Sequence, residues 1–243
     1  MRIDTYFTVP EVDGASLAES TVVVIDVVRA TTTIIEALAN GARAIFPTES
    51  TEDAVRLAQS LGREDSILCG ERKGEKIEGF DLGNSPAEFT REVVEDKKLV
   101  MSTTNGTRAL TIAQEGERVL PCALTNLGAV AEELASVERI FVICAGREDS
   151  FSLDDALCAG HLIQRILDAR DEGDEQPELN DASRAARALA QARKPTKRVL
   201  SLAAGGRAVI EIGLEEDLAI CADVDRHDIV VEMSDQQITR AGA

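Results

Sequence analysis

The feature that most constrains the fold is a strand–turn–helix unit that recurs along the chain. Short aliphatic runs end in small, polar or charged residues, and residues with helical spacing follow. In the clearest run, Thr21 to Asp26, the β-branched residues are typical of a strand buried on both faces. Comparable runs end at Cys69, Met101 and Cys144. Strands that alternate with helices predict an α/β protein whose ligands bind at the carboxyl ends of parallel strands.

The length of 243 residues suffices for one large α/β domain or two small ones. We expect residues 1–243 to form a single unit. The alternative is two α/β lobes, about 1–120 and 121–243, with the site between them.

The segment Ser102 to Arg108 lies between the predicted strand Leu99–Met101 and a predicted helix. Hydroxyl groups and free backbone N–H groups at a helix start suit an anion, most often a phosphate. Gly106 permits the tight turn, and Arg108 can add a charge-assisted hydrogen bond. The alternative is an ordinary cap and turn. The candidate substrate contacts are Ser102, Thr103, Thr104, Asn105, Gly106, Thr107 and Arg108.

Three carboxylates follow other strand ends. Asp26 is a candidate metal ligand or nucleophile, although a helix cap or an ion pair with Arg29 would also explain it. Glu71 begins a long charged loop over 70–86 and is a candidate second ligand. Asp155 is a candidate third ligand, although acidic residues in a first helical turn commonly only stabilise the helix dipole.

Basic and hydroxyl residues accompany these carboxylates. Arg29 is a candidate phosphate clamp, and Thr31 and Thr32 form a second polar turn that suits an anion. Lys76 is a candidate contact for a substrate carboxylate or sulfonate. Carboxylates for a hard cation beside donors for an oxyanion indicate magnesium-dependent chemistry on a small phosphorylated acid.

Two later segments predict irregular structure. Residues 168–176 are acidic with few apolar residues, which is typical of an exposed turn or an acidic insertion. Gly205-Gly206-Arg207 predicts a loop, with a phosphate contact as the alternative.

Charge excludes several classes of partner. The net charge of −18 argues against binding to nucleic acid or to an anionic membrane. Strong acidity with only 6 Lys against 20 Arg is typical of a protein that works in high salt. A halophilic source is therefore a hypothesis, and an activity optimum at low salt without loss of structure would contradict it.

The numbers and positions of cysteine and histidine bear on the cellular location and on the kinds of catalysis that the chain can support. The five cysteines are scattered without a CxxC pair, and no signal peptide or membrane-spanning run is present, so we expect a reducing, cytoplasmic location. Two histidines argue against histidine-based zinc sites and catalysis. A homo-oligomer stays an option, because short helices would pack on an aliphatic core.

Five segments together resemble the 2-phosphosulfolactate phosphatase family. They occur in the family's order over nearly the whole chain and read IDVVRATTT (Ile25 to Thr33), GFDLGNSP (Gly79 to Pro86), STTNGTRAL (Ser102 to Leu110), SLDDALCAG (Ser152 to Gly160) and GLEEDLAICADVD (Gly213 to Asp225). The resemblance implies a three-layer α/β/α fold with a mainly parallel or mixed sheet. It also implies a magnesium-dependent enzyme that removes phosphate from 2-phospho-3-sulfolactate, a step toward coenzyme M. Residues in its signature stretches are Asp26, Arg29, Thr31 to Thr33, Glu71, Lys76, Asn84, Ser85, Thr103 to Arg108 and Asp155.

Other classes remain alternatives. A Cys-x5-Arg phosphatase is excluded, because no cysteine has arginine six residues later. A haloacid-dehalogenase-type aspartyl-phosphate phosphatase needs Asp-x-Asp, but Val28 follows Asp26 at that spacing. A non-catalytic protein that binds a phosphorylated metabolite would keep the anion contacts and dispense with the metal. The residues leave open whether water or Asp26 attacks phosphorus.

Overall fold

A computed structural model describes residues 1–170 and 175–242, so positions 171–174 of the predicted acidic turn lie outside the described residues. The strands are β1 (Arg2–Tyr6), β2 (Thr21–Ile25), β3 (Ala44–Pro47), β4 (Ser66–Arg72), β5 (Glu75–Lys76), β6 (Lys98–Ser102), β7 (Arg118–Cys122), β8 (Arg139–Cys144), β9 (Glu178–Leu179), β10 (Val231–Ser234) and β11 (Gln237–Arg240). The helices are α1 (Ala30–Ala39), α2 (Thr51–Leu61), α3 (Arg91–Val94), α4 (Gly106–Ala113), α5 (Leu127–Leu134), α6 (Leu153–Asp168), α7 (Asp181–Ala192), α8 (Lys197–Leu200), α9 (Ala204–Glu211) and α10 (Asp217–Cys221).

The strands within these ranges form one mixed sheet in the order β5-β4-β6-β3-β11-β10-β7-β2-β8-β1-β9. Strands β4, β6 and β3 are mutually parallel, and β7, β2, β8, β1 and β9 form a second parallel set. The antiparallel hairpin β10–β11 joins the two sets. Strands from both predicted lobes therefore share one sheet, with no break near residue 120.

Alternate residues of β2 face opposite layers of helices. Val22 and Val24 pack into a core cluster that includes residues of α1 and α4. Val23 and Ile25 pack into a second cluster that includes residues of α5, α6 and α7. Because both faces of the central strand are covered, the run of β-branched residues is continuously apolar. The α/β fold with a mixed sheet between helical layers is confirmed.

Several predicted boundaries were wrong. The loop expected over 70–86 begins as a continuation of β4 and a hairpin with β5, so Glu71 lies on a strand. Gly205 and Gly206 lie in the first turn of α9 rather than in a loop. The strands β1 and β11 were not predicted at all, because neither has a long β-branched run. In the described part of the chain no helix is long and apolar enough to cross a membrane.

Candidate active site

The carboxyl ends of β2 and β6 meet at Asp26 and Gly106. A Cβ atom added at Gly106 would lie 2.9 Å from Asp26 Oδ2 and 2.6 Å from Ala30 Cβ. Only glycine lets the start of α4 approach the start of α1 this closely. The two polar turns that the sequence placed apart along the chain therefore adjoin.

A small cavity of about 40 Å³ opens at this junction. It contains five of the predicted site residues: Asp26, Arg29, Glu71, Asn84 and Asn105. The remaining wall is formed by Val28, Gly74, Arg147, Gly205, Ala208 and Val209. Residues that follow both parallel sets of strands and residues of helix α9 thus converge on one site.

Asp26 is buried in the wall of this cavity, with 8% of its surface exposed. Its Oδ1 accepts a hydrogen bond of 3.3 Å from the backbone N–H of Ala30, at the start of α1. Burial is the largest influence on its pKa and, with the charges of Asp154 and Glu71, raises that pKa to about 7 against the lowering effects of the Ala30 hydrogen bond and Arg29. A carboxyl group that exchanges its proton near neutral pH suits acid–base or nucleophilic chemistry.

Two further aspartates are buried behind Asp26. Asp155 accepts hydrogen bonds from the backbone N–H groups of Val27 (2.9 Å) and Gly146 (3.1 Å), so it ties together the chain after β2 and after β8. Burial and the neighbouring charges of Asp154 and Asp26 raise the pKa of Asp155 well above its usual value. Burial also raises the pKa of Asp154, whose carboxylate accepts a hydrogen bond from the Ser152 hydroxyl.

Arg29 does not present a free guanidinium to the cavity. Its Nη1 lies 2.8 Å from Asp217 Oδ2 in an ion pair buried on both sides, and its Nη2 donates to the Gly74 carbonyl oxygen at 2.7 Å. Asp217 also accepts a 2.6 Å hydrogen bond from the Ser85 hydroxyl. Asp217 offsets the charge of Arg29, and the contacts of Arg29 with Asp217 and Gly74 hold the cavity wall in place. The role of Arg29 as a phosphate clamp stays a prediction.

Glu71 already engages donors that the sequence assigned to phosphate. Its two oxygens accept hydrogen bonds from Thr104 N (2.7 Å), the Thr104 hydroxyl (3.2 Å) and Gly74 N (2.7 Å). The carboxylate therefore fastens the 103–105 turn to the β4–β5 hairpin. Thr104 therefore donates to an anionic group of the chain itself, and its predicted contact with phosphate stays a prediction.

The threonine hydroxyls satisfy the protein's own backbone. Thr31 Oγ1 donates to the Asp26 carbonyl oxygen and accepts from Asp26 N, and Thr32 Oγ1 donates to the Val27 carbonyl oxygen. The hydroxyls of Thr103 and Thr107 lie 3.1 Å apart and bond each other's backbone N–H groups. These residues fix the two turns around Asp26, and their predicted contact with substrate stays a prediction.

Asn84 supplies the strongest indication of a ligand site. It is 5% exposed and lines the cavity, and among the described residues its buried Oδ1 atom has no hydrogen-bond partner. An unpartnered buried oxygen costs about 1–3 kcal/mol unless something binds it. Beside the carboxylates of Asp26 and Glu71, this oxygen fits a hard cation such as Mg²⁺, which uses one or two carboxylates and keeps several waters.

In the described part of the chain, the three predicted carboxylates do not by themselves form a metal site. Among residues 1–170 and 175–242 no group of three His, Cys, Asp or Glu side chains is placed to hold a metal ion. An amide oxygen from Asn84 would therefore complement Asp26. The ligand roles of Asp26, Glu71 and Asp155 stay predictions.

The remaining predicted residues lie outside this cavity. Lys76 is exposed on β5, and Ser102 Oγ donates to the Thr48 carbonyl oxygen and accepts from Arg72. Arg108 forms an exposed ion pair with Asp149, 2.8 Å between Nη1 and Oδ1. Together with Thr103, Thr104 and Thr107 it lines a larger neighbouring cavity of about 810 Å³.

Sequence analysis missed three residues at the site. Asp154 and Asp217 are buried charged groups, and Arg147 adds a cation to the cavity wall. Gly205, for which the sequence offered a phosphate contact only as the alternative to a loop, also lines the cavity. A buried aspartate in a first helical turn has the same sequence signal as a solvated one, so Asp154 could not be singled out. Arg147 lies three residues after the predicted strand end at Cys144, which was a usable signal.

A family model described as 2-phosphosulpholactate phosphatase matches residues 6–236. A protein named probable 2-phosphosulfolactate phosphatase from Clostridium beijerinckii is 38% identical over 240 residues, covering 98% of this chain and 99% of that protein. Proteins with the same name from Clostridium perfringens strain 13 (38% identical, 98% and 96% covered) and Caldanaerobacter subterraneus (37% identical, 96% and 95% covered) match similarly.

The matched region contains every strand from β2 to β10 and therefore the whole Asp26 cavity. The resemblance noted from the five sequence segments is confirmed by a match of nearly the full chain. The chain belongs to the 2-phosphosulpholactate phosphatase family, whose members are phosphoric monoester hydrolases.

Proposed function

We infer that this protein hydrolyses 2-phospho-3-sulfolactate, or a related 2-phospho-2-hydroxy acid, to the free hydroxy acid and phosphate. The observation that carries the proposal is Asp26, a buried carboxyl with a pKa raised to about 7 in a cavity whose lining includes the unpartnered oxygen of Asn84. The names of the full-length relatives support the same substrate for this chain.

The activity requires Mg²⁺ in this proposal, with Asp26 and Asn84 as its protein donors and Glu71 as the nearby second carboxylate. Bound there, the ion would neutralise phosphate charge and lower the pKa of a bound water. A cation bound there would favour the ionised carboxylate of Asp26 and would oppose the effect of burial, which raises its pKa.

The chain's own residues would divide the remaining work. Asp26 either takes a proton from the attacking water or attacks phosphorus itself, and both routes use the ionised carboxylate. Asn105 of the 103–107 turn lines the cavity and would border the phosphate, while Arg29 holds the Asp26 turn against Asp217 and Gly74. The haloacid-dehalogenase alternative is not favoured, because Val28 occupies the position where that chemistry needs its second aspartate.

Two finer points belong to this proposal. A 2-phosphosulfolactate phosphatase serves coenzyme M biosynthesis, so we propose that setting for this chain. The net charge of −18 and the shortage of lysine support a protein adapted to high salt, and we propose that its activity rises with potassium chloride.

Phosphate release from a substrate panel tests the function. Phosphosulfolactate, phospholactate and phosphomalate are supplied in high potassium chloride with Mg²⁺ or with EDTA. We expect release only with Mg²⁺ and fastest from phosphosulfolactate. Equal release from all three would retain the phosphatase and reject the substrate, whereas tight binding without release would favour a non-catalytic binding protein.

A further inference from the structure

We propose that Arg147 binds the acid group of the substrate, a carboxylate or a sulfonate, at the mouth of the Asp26 cavity. This inference rests on the proposed function and names the residue that selects an acidic phosphate ester. It concerns a residue that neither the sequence motifs nor the predicted site included.

The charges around the cavity show why such a residue is needed. Asp26 and Glu71 line the wall, and Asp154, Asp155 and Asp217 are buried close behind it. Asp217 already offsets the charge of Arg29 through their 2.8 Å contact. In the proposed function Mg²⁺ would neutralise the phosphate, and the acid group of the substrate would still meet net negative charge unless a cation without a carboxylate partner were present.

Arg147 is that cation. It lines the cavity and is partly exposed, and its side chain makes no hydrogen bond or ion pair within the described ranges. Its charge is close enough to Asp154 to lower the pKa of that carboxyl, against the larger effect of burial. An unpaired guanidinium offers a two-pronged donor that matches a carboxylate or a sulfonate.

The depth of the cavity assigns Arg147 to the acid end of the substrate rather than to the phosphate. The volume of about 40 Å³ holds only a few water-sized groups. Asp26 and Asn84 are almost fully buried, at 8% and 5% exposure, whereas Arg147 is partly exposed. Among the described residues, Arg147 is the one partly exposed residue of the cavity lining that carries a charge, so the acid group of a substrate whose phosphate lies against Asp26 would extend outward toward it.

Contacts within the turn at Arg147, and from this turn to the 103–108 segment, hold Arg147 beside the cavity. Backbone hydrogen bonds of 2.9 Å join Arg147 and Ser150, and Glu148 and Asp149 between them have positive φ angles of 49° and 60°. The turn is held to the 103–108 segment by the Arg108–Asp149 ion pair and by a 3.3 Å hydrogen bond from Glu148 N to Asn105 Oδ1. Arg108 thus contacts the Arg147 turn through Asp149 and does not line the Asp26 cavity.

Calorimetric binding of two small anions tests the proposal. In the presence of Mg²⁺, 3-sulfolactate and inorganic phosphate are titrated separately into the wild-type chain, Arg147→Gln and Arg147→Lys. Loss of one charge-assisted contact weakens sulfolactate binding about 10- to 100-fold in Arg147→Gln, and Arg147→Lys restores part of it. Phosphate affinity changes less than threefold in the same variants. Arg91→Gln, an exposed arginine paired with Glu95 on α3, is the matched control and leaves both affinities unchanged.

Steady-state rates separate this inference from the proposed function. With phosphosulfolactate, Arg147→Gln raises KM by the same 10- to 100-fold and changes kcat little, because uniform binding is lost. An equal loss of phosphate and sulfolactate binding, or no loss of either, would overturn the assignment. If the wild-type chain releases no phosphate, and Arg147→Gln nevertheless binds sulfolactate more weakly than wild type, the proposed function fails and the assignment of Arg147 stands.

Discussion

Asp26 Oδ2 lies 2.9 Å from the position that a Cβ atom of Gly106 would occupy. The separation joins the two polar turns of the chain into one site, and it leaves no room for any side chain at position 106. The close approach also explains why glycine occupies this position although its φ angle is not positive.

Gly106→Ala should therefore lower kcat/KM with little loss of folded structure. The added methyl group must displace Asp26 or the start of α1, and a misplacement near 1 Å costs about 100-fold in rate. Gly14→Ala is the matched control, since its Cβ would lie no closer than 3.4 Å to a neighbouring atom. Full activity of Gly106→Ala would show that Asp26 can move without consequence.

The raised pKa of Asp26 predicts how the stability of the metal-free protein varies with pH. Because the folded-state pKa of about 7 exceeds the unfolded value, the contribution of this group is full below pH 3.8 and is lost as pH rises through 7. Asp26→Asn removes this loss, so in EDTA the variant should gain on the order of 2 kcal/mol over wild type between pH 5 and pH 8.

Urea unfolding at the two pH values measures this difference. Asp65→Asn, at an exposed aspartate, is the control and should show no such gain. A gap between wild type and Asp26→Asn that stays constant with pH would mean that burial does not govern this carboxyl.

The buried Arg29–Asp217 ion pair predicts that breaking it costs far more stability than breaking an exposed ion pair. Asp217→Ala leaves the guanidinium of Arg29 buried without a carboxylate and removes the partner of Ser85. We expect a loss of about 3–5 kcal/mol in the free energy of unfolding. Glu95→Ala breaks the exposed 2.7 Å pair with Arg91 and should cost less than about 1 kcal/mol. Similar costs for the two variants would be inconsistent with a desolvated Arg29.

Cation binding to Asn84 can be tested without turnover. Mn²⁺ replaces Mg²⁺ as a spectroscopic probe, and its free concentration is followed by electron paramagnetic resonance. Asn84→Ala should weaken binding about 10-fold or more, because even residues that only orient metal ligands cost that much. Asn84→Asp keeps an oxygen at the same place and should bind at least as tightly as wild type. Unchanged Mn²⁺ affinity in Asn84→Ala would remove Asn84 from the metal site.

Much of the fold could be predicted from the sequence where aliphatic periodicity was strong. The run at Thr21–Ile25 and the helix after Asp155 were both recognisable, because each buries a continuous or regularly spaced apolar surface. Strand β5 was not, because it consists of two exposed charged residues, and β11 was not, because it pairs with β3, which is distant in sequence.

The sequence predicted which residues form the site better than it predicted their hydrogen-bond and ion-pair partners. Five predicted residues line one cavity because parallel strand ends share an edge of the sheet. The engagement of Glu71 with Thr104 and of Arg29 with Asp217 joins segments separated by 33 and 188 residues, and no local pattern encodes such pairs. Sequence therefore indicated which groups gather, whereas only the structure showed which are already satisfied and which, like Asn84 Oδ1, are not.

The most direct measurement is phosphate release from 2-phosphosulfolactate by wild type and Asp26→Asn side by side, with saturating Mg²⁺ and with thermal unfolding of both recorded. Loss of general-base or nucleophilic chemistry should lower kcat at least 100-fold in Asp26→Asn while a cooperative unfolding transition is retained. Comparable rates from the two folded proteins would contradict the assignment of catalysis to the Asp26 cavity.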